Sequence, residues 1–114
     1  IFVVEAKNWA EYIKGNINDD KWVGRGSSSS TLSVVSPFLQ NDMHIRALTD
    51  SALRKGVRLP EMISVICLPD SAIIETDCDN VVNLSKLPQF IFKNSLSKNK
   101  IPVIDTVRTI KTLE

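Results

Sequence analysis

The sequence predicts an α/β fold, and three observations carry that expectation. Two runs rich in β-branched residues, Ile1–Val4 and Met62–Leu68, read as strands buried on both faces. Between them, a stretch that opens at Ser36-Pro37 and closes at Gly56 carries apolar residues at helical spacing. A strand, a helix and a strand in that order place the two strands parallel in one sheet.

The elements follow in chain order. After Lys7, the segments around Trp9, Tyr12 and Ile13 and around Trp22 and Val23 are strand formers. The Gly15–Asp20 stretch between them is turn chemistry, so this part reads as a hairpin with both tryptophans in its core. Gly24 to Ser30 is a polar loop, and Thr31–Ser36 a short extended piece. Ser36 is an N-cap and Pro37 a first helical residue, which opens a helix that runs to about Lys55 and stops at Gly56. Phe38, Ile45, Leu48 and Ala52 form its apolar stripe, while Gln40, His44 and Ala47 share another. Beyond Leu68, the pieces Ala72–Glu75 and Val81–Leu84 read as strands, Gln89–Leu96 as a helix, and Pro102–Leu113 as a final amphipathic helix.

Composition narrows the class. At 114 residues the chain holds one domain at most, and 43% hydrophobic with 24% charged residues is the balance of a globular protein. Fourteen basic against thirteen acidic residues give a net charge of +1, so any contact with nucleic acid must come from a local patch. Cys67 and Cys78, with His44 the one histidine, are too few for a disulfide framework or a zinc site and are expected reduced. No apolar run is long enough to span a membrane and no signal-peptide pattern is present, so a cytoplasmic location is expected. The chain opens in mid-strand without an initiator methionine, and a fragment of a longer protein with fused or neighbouring domains is the expectation.

Chemistry concentrates at the end of the first strand. Side chains alternate along a strand, so Glu5 and Lys7 project together from one face. Charges drawn partly out of water must be compensated, either by each other or by a ligand. An acid-x-Lys triplet is expected roughly once by chance in a chain of this size. Asp19-Asp20-Lys21 is a second instance, set in a polar turn.

More specific is the joint spacing of Glu5-Ala6-Lys7-Asn8-Trp9, Ile13-Lys14-Gly15-Asn16, Trp22, Ser36-Pro37-Phe38-Leu39-Gln40-Asn41 and His44-Ile45. In these residues, from Ile1 to about Leu84, the chain resembles the nuclease-related domain family of the restriction-endonuclease-like, PD-(D/E)xK superfamily. Residues 85–114 would be a C-terminal helical region. Ser36 stands where the family pattern has asparagine. The resemblance implies a restriction-endonuclease-like core, with a central mixed sheet, a β-hairpin and flanking helices, whose first helix and strand are missing from this chain.

It also implies metal-dependent hydrolysis of nucleic-acid phosphodiesters, DNA in preference to RNA. Glu5 matches the acid that binds Mg²⁺ or Mn²⁺, Lys7 the catalytic lysine and Gln40 the helix glutamine. The superfamily's other metal-binding aspartate is expected upstream of Ile1, so this chain alone is expected to bind metal poorly and cleave little. Asp70, Asp77 and Asp79 lie near strand ends with nothing to place them at the site. Asn8, Lys14, Arg25, Asn41 and His44 are the candidate contacts to nucleic acid, with His44 expected half-buried. Lys21 and Arg46 are solvated surface by default. Two other classes fit the same residues: a non-catalytic nucleic-acid-binding or scaffolding domain, and an unrelated α/β domain in which Glu5 and Lys7 are an ion pair.

Overall fold

The computed structural model describes residues 1–27 and 30–95. Strand β1 (Phe2–Ala6) is followed by the expected hairpin, β2 (Tyr12–Gly15) and β3 (Lys21–Arg25), and then by β4 (Leu32–Val35). Helix α1 (Pro37–Arg54) leads to β5 (Ile63–Leu68), β6 (Ile73–Thr76) and β7 (Val81–Asn83), and a short 3₁₀ turn leads to α2 (Leu87–Asn94). α2 begins before the expected Gln89, with Pro88 in its first turn, where the absent N–H is harmless. The expected helix Pro102–Leu113 lies outside the described residues.

The expected α/β architecture with a mixed sheet and a hairpin is present, and hydrogen bonding divides its strands into two sheets. The first has the order β1-β5-β7 and is parallel throughout, with Phe2 opposite Ile63 and Ile66 opposite Val81. The second, mixed sheet has the order β4-β3-β2-β6. The division arises at Lys7–Ala10, where the Ala10 amide donates to the Lys7 carbonyl and the chain turns away. The hairpin then pairs with β6, Tyr12 opposite Ile73, instead of extending the sheet of β1.

This topology corrects the expectation for the first strand. Among the described residues β1 pairs with β5 alone, so it is an edge, and Val4 is 41% exposed. Val3 and Glu5 face α1, while Phe2 on the opposite face meets the Phe90 ring of α2 edge-on at 6.2 Å. β5 is the central strand of the first sheet, and its Val65 and Ile66 are fully buried.

α1 obeys its end signals. Ser36 Oγ accepts from the Phe38 amide, Pro37 occupies the first position, and Gly56 adopts φ +69° just past the C-cap. The helix lies over β1 and β5. The core lies on the same side, where Ile13, Trp22, Phe38, Ile66, Leu68 and Val81 pack together. The rings of Trp22 and Phe38 meet edge-on at 5.8 Å, joining the hairpin to the start of the helix. Among the described residues, no helix is long and apolar enough to cross a membrane.

Candidate active site

Glu5 is the fourth residue of β1, and the ladder continues one step past the strand, where the Lys7 amide donates to the Cys67 carbonyl at 2.9 Å. Both side chains leave the sheet on the face that α1 covers. Lys7 Nζ lies 3.5 Å from Glu5 Oε1 and donates to Gln40 Oε1 at 2.5 Å. One helical turn beyond Gln40, His44 Nε2 stands 3.8 Å from Glu5 Oε2. The i, i+4 stripe on α1 thus meets the i, i+2 pair on β1, and four polar side chains converge.

Burial is graded across the cluster. The Lys7 side chain is 14% exposed, that of Glu5 26% and that of His44 67%. The ammonium is therefore held inside, with the carboxylate at the mouth and the imidazole on the rim. His44 is not the half-buried histidine expected from the sequence, because its stripe faces the open end of β1. Both contacts to Glu5 exceed the ~2.8 Å of a charge-assisted hydrogen bond, which leaves room for a ligand on the carboxylate oxygens.

Asn41, next along the helix, points the other way. It is fully buried, and its Nδ2 donates to the Val3 carbonyl at 2.8 Å and to Ser64 Oγ at 2.7 Å. It is a strut between α1, β1 and β5, so the expectation that it meets nucleic acid is corrected: no part of it reaches solvent. Its place was legible, since Phe38, Asn41, Ile45, Leu48 and Ala52 follow one another at steps of three and four.

Asn8 is exposed in the turn that follows Lys7. Lys14 and Arg25 lie on the outer face of the mixed sheet, and the structure does not join them to the cluster. Lys14 Nζ is 4.0 Å from Glu75 Oε2, and the Arg25 guanidinium stacks over the Tyr12 ring at 5.2 Å. Of the later carboxylates, Asp70 accepts from the Ser85 amide and Asp77 from the Ile17 amide, which occupies both with loop structure. The two tryptophans also separate. Trp22 is 1% exposed, as a hairpin-core residue should be, whereas Trp9 is 49% exposed.

A magnesium ion is commonly held by one or two carboxylates, with water and substrate phosphate completing the shell. Glu5 fits the protein's part of such a site: it is partly open and not locked into a short ion pair. Among the described residues no group of three His, Cys, Asp or Glu side chains could hold a metal ion, so Glu5 could contribute no more than part of a coordination shell there.

An α/β core in which an acid-x-Lys pair leaves a parallel strand and meets a glutamine from the crossover helix defines a nuclease-like class of domain. The chain belongs to the nuclease-related domain family, whose model matches residues 1–69. That match runs from β1 to the end of β5 and includes every residue of the cluster. No curated protein and no solved structure matches the chain.

Proposed function

We propose that the domain hydrolyses nucleic-acid phosphodiesters, with DNA the preferred substrate, at the Glu5–Lys7–Gln40 cluster. The observation that carries this reading is the posture of Lys7. A simple ion pair would close to hydrogen-bond distance, but here the ammonium donates to a neutral amide 33 residues away and stands 3.5 Å from the carboxylate. An ammonium has three donors. Gln40 takes one, Glu5 draws another, and the third would meet a phosphate oxygen.

Gln40 fixes where the positive charge sits, so that it need not reorganise as negative charge builds on the phosphate. Glu5 is the residue that would hold Mg²⁺ or Mn²⁺. Such an ion, when bound, polarises a phosphate oxygen and lowers the pKa of its water. His44 on the rim and Asn8 in the adjoining turn would meet the strand that enters.

The test is cleavage of labelled DNA and RNA with Mg²⁺ or Mn²⁺, comparing the native chain with Lys7→Ala and Glu5→Gln. Each substitution should lower the rate about 10²–10³-fold, the usual effect of removing one preorganised electrostatic group. Undiminished cleavage by Lys7→Ala would refute the assignment. A second reading, a domain that binds nucleic acid without cutting it, is favoured by the single carboxylate of the cluster. It predicts no cleavage by the native chain, together with DNA binding that is indifferent to chelation of metal and is kept in Glu5→Gln.

A further inference from the structure

We propose that Trp9 is a stacking surface for an unpaired nucleobase, and that the site therefore acts on nucleic acid with exposed bases, meaning single strands or frayed ends. This inference rests on the nuclease-type reading above and specifies its substrate.

The argument starts from the turn that leaves the site. The Ala10 amide donates to the Lys7 carbonyl at 3.2 Å, which folds Lys7–Ala10 into a tight turn. Trp9 lies two residues past Lys7, so their Cα atoms are at most about 7.6 Å apart. An indole at that point of a hairpin would ordinarily be core, as Trp22 is. Instead Trp9 is half exposed, a state that leaves a large apolar surface in water beside a cluster of charges.

The ring is nevertheless held in place. Its six-membered half rests on Gly24 of β3: a Cβ built at that glycine would come within 3.1 Å of Trp9 Cη2 and 3.5 Å of Cζ3. Gly24 is buried and pairs with Leu32 of β4, which is 56% exposed. The absence of a side chain at residue 24 thus lets the indole lie close against the sheet, with its remaining surface open.

Chemistry beside the ring suits a strand of nucleic acid. Lys7 precedes the ring by two residues in the chain, and Asn8 is exposed in the same turn. An exposed aromatic face beside a hydrogen-bonding amide, two residues past the lysine proposed to meet a phosphate, suits a base of the strand that enters the site. Within a duplex the π-faces are stacked on one another, and an indole on the rim cannot reach them without unstacking. The feature therefore selects strands whose bases are already free.

The test is binding of a phosphorothioate-linked strand of about twelve nucleotides, a length within the usual span of single-strand sites. A blunt duplex of the same length serves as comparison, both with Mg²⁺ and read by anisotropy and by indole fluorescence. Trp22 is buried and shielded, so quenching on addition of the strand reports Trp9. Expected are quenching in the native chain, single-strand affinity weakened about ten- to hundredfold in Trp9→Ala, near-native affinity in Trp9→Phe, and duplex affinity unchanged in both.

Unchanged single-strand affinity in Trp9→Ala, or saturation of the native chain without quenching, would overturn the proposal while leaving the nuclease-type reading intact. Cleavage that needs Lys7 on a duplex without free ends, at a rate equal to that on single strands, would do the same. A native chain that binds neither strand nor duplex would bring down both readings.

Discussion

Gly15→Ala is a one-carbon change with a large expected effect. Gly15 ends β2 with its Cα directly beneath the Trp22 indole. A methyl group there would overlap Trp22 Cγ and Cδ2 and lie 2.6 Å from Cε2, far inside the ~3.5–4.0 Å at which carbon atoms rest. The indole cannot simply swing away. It is 1% exposed, packs edge-on to Phe38, and its Nε1 donates to the Asn16 carbonyl at 3.1 Å.

Overpacking of a filled core costs about 1–3 kcal/mol. Loss of the indole hydrogen bond adds about 1 kcal/mol and disturbance of the aromatic pair about another. The sum, roughly 3–5 kcal/mol, is a large share of the ~5–15 kcal/mol that stabilises a domain. Thermal unfolding followed by near- and far-ultraviolet circular dichroism should show Tm lowered by at least about 10 °C. Gly24→Ala is the control. There the nearest ring atom, Trp9 Cη2, would lie 3.1 Å from the new methyl, so a shift of a few tenths of an ångström relieves the contact, and the expected loss is under about 1 kcal/mol. Gly15→Ala within about 0.5 kcal/mol of the native chain would refute the claim that Trp22 is pinned.

Two further outcomes follow from buried groups. Asn41→Asp puts a carboxylate oxygen against the Val3 carbonyl in place of a donor, and urea unfolding at pH 7 should show about 3 kcal/mol or more lost; a loss under 1 kcal/mol would show that Asn41 is no strut. Cys67 is 5% exposed, and burial, with the charge of Asp70 second, pushes its thiol above the ordinary 9.0. The native state then keeps a proton that the unfolded chain gives up, so this contribution is complete below about pH 9 and falls as pH rises further. Urea midpoints at pH 7 and pH 10 should differ more in the native chain than in Cys67→Ala, and Cys78 should be alkylated well before Cys67.

Local chemistry made much of this legible. The bounds of α1 follow from Ser36, Pro37 and Gly56, each of which acts on its own few residues. The proximity of Glu5 and Lys7 follows from the period of a strand, and the convergence of Gln40 with His44 from that of a helix. That the two periods meet at one point came from the family resemblance and not from periodicity.

What stayed hidden depends on pairing between distant segments. Nothing near Tyr12 announces that β2 will lie beside Ile73, so the split into two sheets could not be read. The edge position of β1 has the same origin, since it depends on which distant strands pair with it. Trp9 and Trp22 are the same residue type thirteen positions apart, and only the third dimension tells a core side chain from a rim one. Asn41 sits beside Gln40 in the chain, yet its helical spacing, in step with Phe38 and Ile45, turns it inward while Gln40 meets Lys7.

The pairing of Phe2 with Ile63 also governs when the site can exist. Closing so long a loop is slow, and the parallel ladder repays nothing until it is shut. At a ribosome adding ~5–20 residues per second, the apolar first strand waits roughly 3–12 s for its partner to be made. During that interval the strand has both edges unpaired and must be kept from other chains. The lysine and its glutamine come together only when the sheet forms, so a nascent chain carries no assembled centre until β5 has emerged.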